Sequence, residues 1–266
     1  MTDEAVELSV TNEVARITLA RQETRNALTD EVAEGLLDAM EEIPNTEARV
    51  IVIESEGSAF SAGGDVQSMH DRIEGAGPPL HELVEHISEV TGAAIAAVAE
   101  ARLPTVAVVD GTAYGAGANL AIACDVVLAH EDAEISFGFR QVGLAVDAGT
   151  SYLLPRIVGE SVALELIYTG ELVGADRAGE LGLFNHVYGT EHFEDEVESM
   201  IETIASGPTV ALSASKRTVR QGLTTSSIEE AIDNEADAQA AIFETRDHRE
   251  GVKAFVERRE PNFEGR

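Results

Sequence analysis

The stretch Val106–Asp125, VAVVDGTAYGAGANLAIACD, constrains this chain more than any other. Its apolar, β-branched opening, Val106 to Val109, reads as a fully buried strand. Asp110 and Gly111 end that run. Gly115, Ala116 and Gly117 then lead into a segment with Leu120, Ala121 and Cys124 at helical spacing. A buried strand thus feeds a helix N-terminus, where the first peptide N–H groups lack intrahelical partners. Small residues there allow a ligand to approach the main chain closely. Such a turn suits an anion, or an oxygen that becomes anionic during reaction. The same pattern fits a plain strand–helix turn. It also partly imitates a dinucleotide-binding turn, although Leu120 stands where the third glycine belongs.

The flanking sequence alternates strands and helices. Val6–Val10 and Val14–Ala20 predict a β-hairpin. Thr29 is an expected N-cap for a helix bearing Val32, Leu36, Leu37 and Met40, closed by Pro44. Val50–Ile53 reads as a second buried strand, and the glycine turn Phe60–Val66 follows. Gly75–Pro79 is a breaker-rich, mobile loop. A long amphipathic helix is expected next, with Leu83, Ile87, Val90, Ala94, Ala97 and Ala101 on one face. Strands at Val126–Ala129 and Ile135–Phe137 precede helices at Asp147–Leu154 and Val162–Tyr168. From Glu191 onward the pattern is helical. The expectation is an α/β core over 1–190 with a helical region over 191–266.

Composition narrows the partners. Forty-nine acidic residues face 18 basic ones for a formal charge of −31, and Lys216 and Lys253 are the only lysines. Hydrophobic periodicity persists, so this is a folded chain with an acidic skin. That skin repels nucleic acid and anionic membranes. The acids are spread from end to end, as expected of a protein from a salt-loving source, where multimolar salt screens their repulsion. No apolar run approaches the roughly 20 residues of a membrane span, and the single Cys124 rules out an internal disulfide or a cysteine-based zinc site. No metal-ligand cluster stands out. A cytoplasmic location is the expectation.

Two glycine turns, FSAGGDV at Phe60–Val66 and GTAYGAGANL at Gly111–Leu120, resemble the paired signature of the crotonase superfamily, the enoyl-CoA hydratases and isomerases. Arg25-Asn26-Ala27-Leu28 is similar to that family's NAL segment, and Gly143-Leu144 with AVDAGTSYLLPRIVG to its third motif. Glu250–Phe255 with Arg258, Arg259, Pro261 and Phe263 is similar to its C-terminal helix and tail. The resemblance implies a spiral of ββα units with C-terminal helices that build a homotrimer or a dimer of trimers. It implies an acyl-CoA substrate, with coenzyme A entering as part of the thioester and no permanently bound cofactor. By motif position the thioester oxygen would be held by the amides of Gly64 and Ala116. Arg25, Ala62, Gly63, Phe139, Phe255 and Arg258 would contact the CoA ester.

The resemblance also has a gap. The family's hydratases use two glutamates, and the matching positions here are Asn119 and Phe139, neither of which transfers a proton as a glutamate does. Asn119 could orient water or a substrate oxygen, or serve only as a polar residue at a helix N-terminus. Asp147, in Val146-Asp-Ala-Gly149, matches an aspartate in the family branch that includes ring-epoxide isomerases of phenylacetyl-CoA catabolism, with valine in place of that motif's proline. One carboxylate suffices for isomerisation, and burial would raise its basicity. Asp147 is equally well placed as a helix cap. Isomerisation of an enoyl-CoA or ring-epoxide CoA ester is the leading expectation. Hydration of a 2-enoyl-CoA and non-catalytic acyl-CoA binding remain the alternatives.

Overall fold

Val6–Thr11 (β1) and Val14–Leu19 (β2) pair antiparallel around Asn12 and Glu13, both of which take positive φ. That is the backbone twist a two-residue hairpin needs. The computed structural model describes residues 4–76 and 79–266. Helix α1 (Asp30–Glu42) starts where the Thr29 hydroxyl accepts the Val32 amide, and it gives way to a short 3-10 turn containing Pro44. Val50–Ser55 (β3) is followed by α2 (Val66–Ile73), α3 (Leu80–His86) and α4 (Ala93–Ala99). The central strand is Thr105–Val109 (β4), followed by Thr112–Tyr114 (β5) and α5 (Ala116–Ala123). Then come β6 (Val126–His130), β7 (Glu134–Ser136), α6 (Thr150–Val158) and α7 (Glu160–Thr169). Val173–Gly174 (β8), α8 (Ala175–Glu180) and β9 (His186–Tyr188) complete the core. The helices α9 (Phe193–Ala205), α10 (Thr209–Gly222), α11 (Ile228–Ile242) and α12 (Arg246–Glu257) finish the chain.

The larger sheet has the order β1-β2-β3-β4-β6-β9 and is parallel beyond the hairpin. The smaller sheet, β5-β7-β8, runs beside it, and Ser61 adds an isolated bridge to Ala113 at its edge. Each passage therefore places a strand in the large sheet, a short one in the small sheet, and then a helix. The units β4-β5-α5 and β6-β7-α6 are two such turns, and β3-Ser61-α2 is a third in reduced form. This is the expected ββα spiral.

Strand side chains alternate between two cores, as the period of two demands. Ile51, Ile53, Ala107, Val109, Val127 and Ala129 join the main core with α1, α4 and α5. Val50, Val52, Val106, Val108 and Leu128 face the other way, against Phe193, Val197, Ile201 and Ala205 of α9. Burial on both faces explains why β3 and β4 read as unbroken apolar runs. Helix α5 is buried on every side, which marks it as an interior helix of the core. Beyond α9, buried polar ties anchor the helical region. Lys216 contacts Asp125 at 2.6 Å, and the Arg49 guanidinium reaches Thr209 Oγ1 at 2.8 Å and the Phe263 carbonyl at 3.2 Å.

Three expectations need correction. The central strand does not feed α5 directly: β5 intervenes, because three residues are too few to show a periodicity. Helix α6 begins at Thr150 rather than Asp147, since Ala148 and Gly149 both take positive φ, at 46° and 85°. The long helix after residue 80 contains a π-helical stretch over Ile87–Gly92, which shifts its phase. Its buried face past that point is Ala94, Ile95 and Val98 rather than Ala94, Ala97 and Ala101. Of the Gly75–Pro79 loop, Gly77 and Pro78 lie outside the described residues. Among those described, no helix is long and apolar enough to cross a membrane.

Candidate active site

Ser61 wedges together the two glycine turns. Its amide donates to the Thr112 carbonyl, and its own carbonyl accepts the Tyr114 amide at 2.9 Å. Its hydroxyl donates to the Asn26 carbonyl at 2.7 Å. A β-carbon on Gly117 would lie 2.6 Å from three Ser61 atoms, so α5 approaches this serine as only glycine allows. Asn26 itself is fully buried and donates to the carbonyls of Glu56 and Ala59. The NAL segment thus pins the loop that enters the first turn.

These contacts bring the two candidate donors together. Gly63 sits so near the second turn that an added β-carbon would be 3.4 Å from the Ala116 nitrogen. Gly115 takes φ 54° and ψ −118°, and donates to the Ser136 carbonyl. That leaves Ala116 N at the head of α5. Neither the Gly64 nor the Ala116 amide donates to any acceptor among the described residues, although Ala116 is buried. Buried backbone amides are almost always paired, so the unpaired Ala116 amide is unusual, and the half-buried Gly64 amide beside it is unpaired too. Asp65 also fills the capping role its position allows. It accepts the Gln67 and Ser68 amides at the start of α2. Burial pushes its carboxyl up, but the Ser68 and Gln67 hydrogen bonds outweigh that and hold it below the usual range.

The walls beside the turns are apolar. Phe139 is buried, and its ring edge would lie 3.9 Å from a β-carbon on Gly115. The Met69 methyl stands 3.1 Å from the corresponding point on Gly64. Sequence reasoning missed Met69, which carries no motif signal.

Asp147 is tied to α5 through its main chain. Asn119, fully buried, donates through Nδ2 to the Asp147 carbonyl at 3.1 Å and to Thr150 Oγ1 at 2.8 Å. Both Nδ2 and Oδ1 of its carboxamide thus bond to the 147–150 turn. The Asp147 side chain caps nothing: Gly149 is the N-cap of α6 and no side chain bonds there. Among the described residues its carboxylate has no hydrogen-bond partner. It opens to solvent on one side, yet burial on the other pushes its pKa up from the usual value. A cavity of about 650 Å³ lies behind Val146, between the 140–146 loop and helices α6 and α7.

The candidate coenzyme ligands are divided. The Arg25 carbonyl accepts the Ala62 amide at 2.8 Å, so its exposed side chain begins beside the first turn. Arg258 and Phe255 lie at the end of α12, and Phe255 is 86% exposed. Phe255 lines a groove of about 410 Å³ between α10, α11 and α12, which no residue of the two turns lines. Arg25 and Arg258 have no ion-pair partner among the described residues. Cys124 is buried at the C-terminal end of α5. Its thiol is pushed up to about 12 by burial and by the charge of Asp125, which removes it as a nucleophile.

A two-sheet ββα spiral brings two glycine turns with unpaired amides together at the head of α5, and α5 in turn carries the asparagine that bonds the Asp147 main chain. The enoyl-CoA hydratase/isomerase family model matches residues 9–266, and the chain belongs to that family of acyl-CoA enzymes. It is 30% identical to the 1,2-epoxyphenylacetyl-CoA isomerase of Escherichia coli over 254 residues, covering 95% of each chain. It is 31% identical to the crotonyl-CoA hydratase of Syntrophomonas wolfei over 274 residues, covering 99% of each. A crystal structure of an enoyl-CoA hydratase from Bacillus anthracis superposes with a TM-score of 0.90 at 28% identity, covering 98% of this chain and all of that one.

Proposed function

We propose that this protein isomerises an enoyl-CoA or ring-epoxide CoA ester by means of a single carboxylate, Asp147. The thioester oxygen sits between the Gly64 and Ala116 amides. Asp147 takes a proton from the carbon α to the thioester, and the electron pair moves onto the carbonyl oxygen. The two amides stabilise that enolate, each worth roughly 2.7–4 kcal/mol by analogy with single-donor deletions. For a 3-enoyl substrate, the protonated Asp147 then returns the proton to the γ-carbon, which leaves the double bond conjugated with the thioester.

The observation that carries this reading is the combination at the site. By motif resemblance, Asn119 and Phe139 match the two positions where the family's hydratases carry glutamates. The Asp147 carboxylate has no hydrogen-bond partner among the described residues, and burial raises its pKa, the direction that favours accepting and returning a proton. Asn119 is fully buried, and both its Nδ2 and its Oδ1 already bond within the 147–150 turn, which disfavours a role in orienting water. The similarity to an epoxyphenylacetyl-CoA isomerase supports the same choice.

Coenzyme A brings several phosphate charges to a chain of net charge −31. Unpaired Arg25 and Arg258 supply local positive charge, and Phe255 an apolar surface. Exposed apolar residues on α10–α12, among them Val219, Leu223, Ile232 and Val256, support a homotrimer or dimer of trimers in which α12 contributes across a subunit boundary. The excess of acids supports a salt-rich intracellular setting.

The similarity to a crotonyl-CoA hydratase favours the second reading, water addition. A panel of CoA thioesters separates them. Isomerisation of a 3-enoyl-CoA or a ring-epoxide ester, with slow hydration of crotonyl-CoA, is the expected result. Rapid hydration without isomerisation overturns the proposal in favour of a hydratase. Tight binding without turnover points to a non-catalytic acyl-CoA-binding protein.

A further inference from the structure

The Asp147 carbonyl collects three close donors: the Thr150 amide at 2.9 Å, Thr150 Oγ1 at 2.8 Å and Asn119 Nδ2 at 3.1 Å. Thr150 Oγ1 also lies 3.0 Å from Asn119 Oδ1 and accepts Asn119 Nδ2 at 2.8 Å. Its single proton is shared between two acceptors, so hydroxyl and carboxamide form a closed ring of hydrogen bonds. Both residues are completely buried. The backbone that this ring grips is otherwise unfavourable, with Ala148 in the left-handed region at φ 46°. The Asp147 carboxylate, by contrast, has no hydrogen bond of its own to fix it among the described residues. Its place is set from its main chain.

We infer that Thr150, acting with Asn119, is a positioning residue that holds the Asp147 carboxylate against the substrate by clamping the Asp147 carbonyl. This rests on the reading of Asp147 as the acid–base group. The hydroxyl and carboxamide reach neither substrate nor proton. They keep residues 147–149 in a conformation that the chain would otherwise leave. The carboxylate thereby stays bare and partly desolvated, and its basicity is not spent on an internal hydrogen bond.

Thr150→Val removes the hydroxyl and keeps the side-chain shape. On the thioester that the wild type isomerises, kcat should fall about 10–100-fold, as for a misplaced catalytic group, with KM little changed. Amide hydrogen exchange of the peptide spanning residues 144–150 should quicken, while the melting transition stays cooperative. Thr150→Ser should restore both kcat and protection, and Thr150→Ala carries the same test if the valine variant does not fold. Unchanged kcat in a folded Thr150→Val overturns the inference. So does a fall in kcat with no change in exchange, since the hydroxyl would then act otherwise than as a clamp. Asp147→Asn, assayed in parallel, separates the two claims. If it is active, the reading of the carboxylate fails and the clamp has nothing to position. If it is inactive while Thr150→Val is fully active, only the clamp fails.

Discussion

Gly63 lies against the main chain of Tyr114 so closely that a β-carbon there would stand 2.4 Å from the Tyr114 carbonyl oxygen. With φ at +88°, the position is closed to other residues by conformation as well as by space. Gly63→Ala must therefore push the first turn away from the second, and the Gly64 amide with it. The expected outcome is a fall in kcat of about 10²–10³-fold, the cost of losing one oxyanion donor. Steady-state turnover, with circular dichroism to confirm the fold, checks it. Near-native turnover would mean that the two turns do not share one oxygen.

Asp147→Asn should abolish isomerisation, with a loss of about 10²–10⁴-fold. Its effect on stability has the opposite sign. The folded-state pKa of Asp147 is raised above its ordinary value by burial, so the fold binds this proton more tightly than the unfolded chain does. The charged group is then a liability, absent at low pH and fully present once the pH exceeds the raised pKa. The asparagine variant should melt higher than the wild type at pH 7 and no higher near pH 3. Wild-type activity should fall on the acid side with an inflection above the usual aspartate value. Melting curves at the two pH values and a kcat/KM–pH profile test both statements. An equal or lower melting point at pH 7 would contradict the sign.

Sequence alone made both glycine turns and five of the six strands of the large sheet visible, all but the three-residue β9, because doubly buried strands and glycines that accommodate close contacts leave strong local marks. Val50–Ile53 and Val106–Val109 are examples of the first, Gly63 and Gly117 of the second. What stayed hidden depends on contacts distant in the chain. β5 and β8 are two or three residues long and exist only through pairing with β7. Thr150 reads as an ordinary helix-start residue, and its bond to Asn119 spans 31 positions. That Asp147 caps no helix could not be read from the sequence, since it turned on the φ angles of Ala148 and Gly149. Asn119 signalled its importance differently. It is the one polar residue in a helix buried all round, and a buried amide must find partners.

Arg25 and Arg258 supply a test of how an acidic protein tolerates an anionic substrate. Among the described residues neither side chain is engaged, although acids surround most other cations. Arg25→Ala and Arg258→Ala should each raise the KM for a CoA ester, by roughly tenfold for one lost charge-assisted hydrogen bond. Turnover of a truncated pantetheine thioester, which lacks the nucleotide phosphates, should change little. Equal losses on both substrates would assign these arginines a structural role instead.

The last prediction concerns salt. Acids crowd particular helices as well as the chain at large: Glu194, Asp195 and Glu196 open α9, and Glu229 and Glu230 open α11. At helix N-termini these charges are locally favourable, so the cost of the surface lies in their mutual repulsion. Most bases are already committed to ion pairs such as Arg16–Glu198 and Arg177–Glu165, which leaves the excess acids unneutralised. Raising KCl from low to molar concentration shortens the screening length to about 3 Å, and this weakens repulsion and surface ion pairs alike. Exposed pairs contribute only about 0–1 kcal/mol each, and acids outnumber bases by 49 to 18. The relief of repulsion should therefore dominate, and the melting temperature should rise with salt, by about 2–4 °C per kcal/mol gained in a chain of this size. Differential scanning calorimetry across a KCl series measures it. A flat or falling curve would overturn the salt-adapted surface and favour a discrete acidic binding face instead.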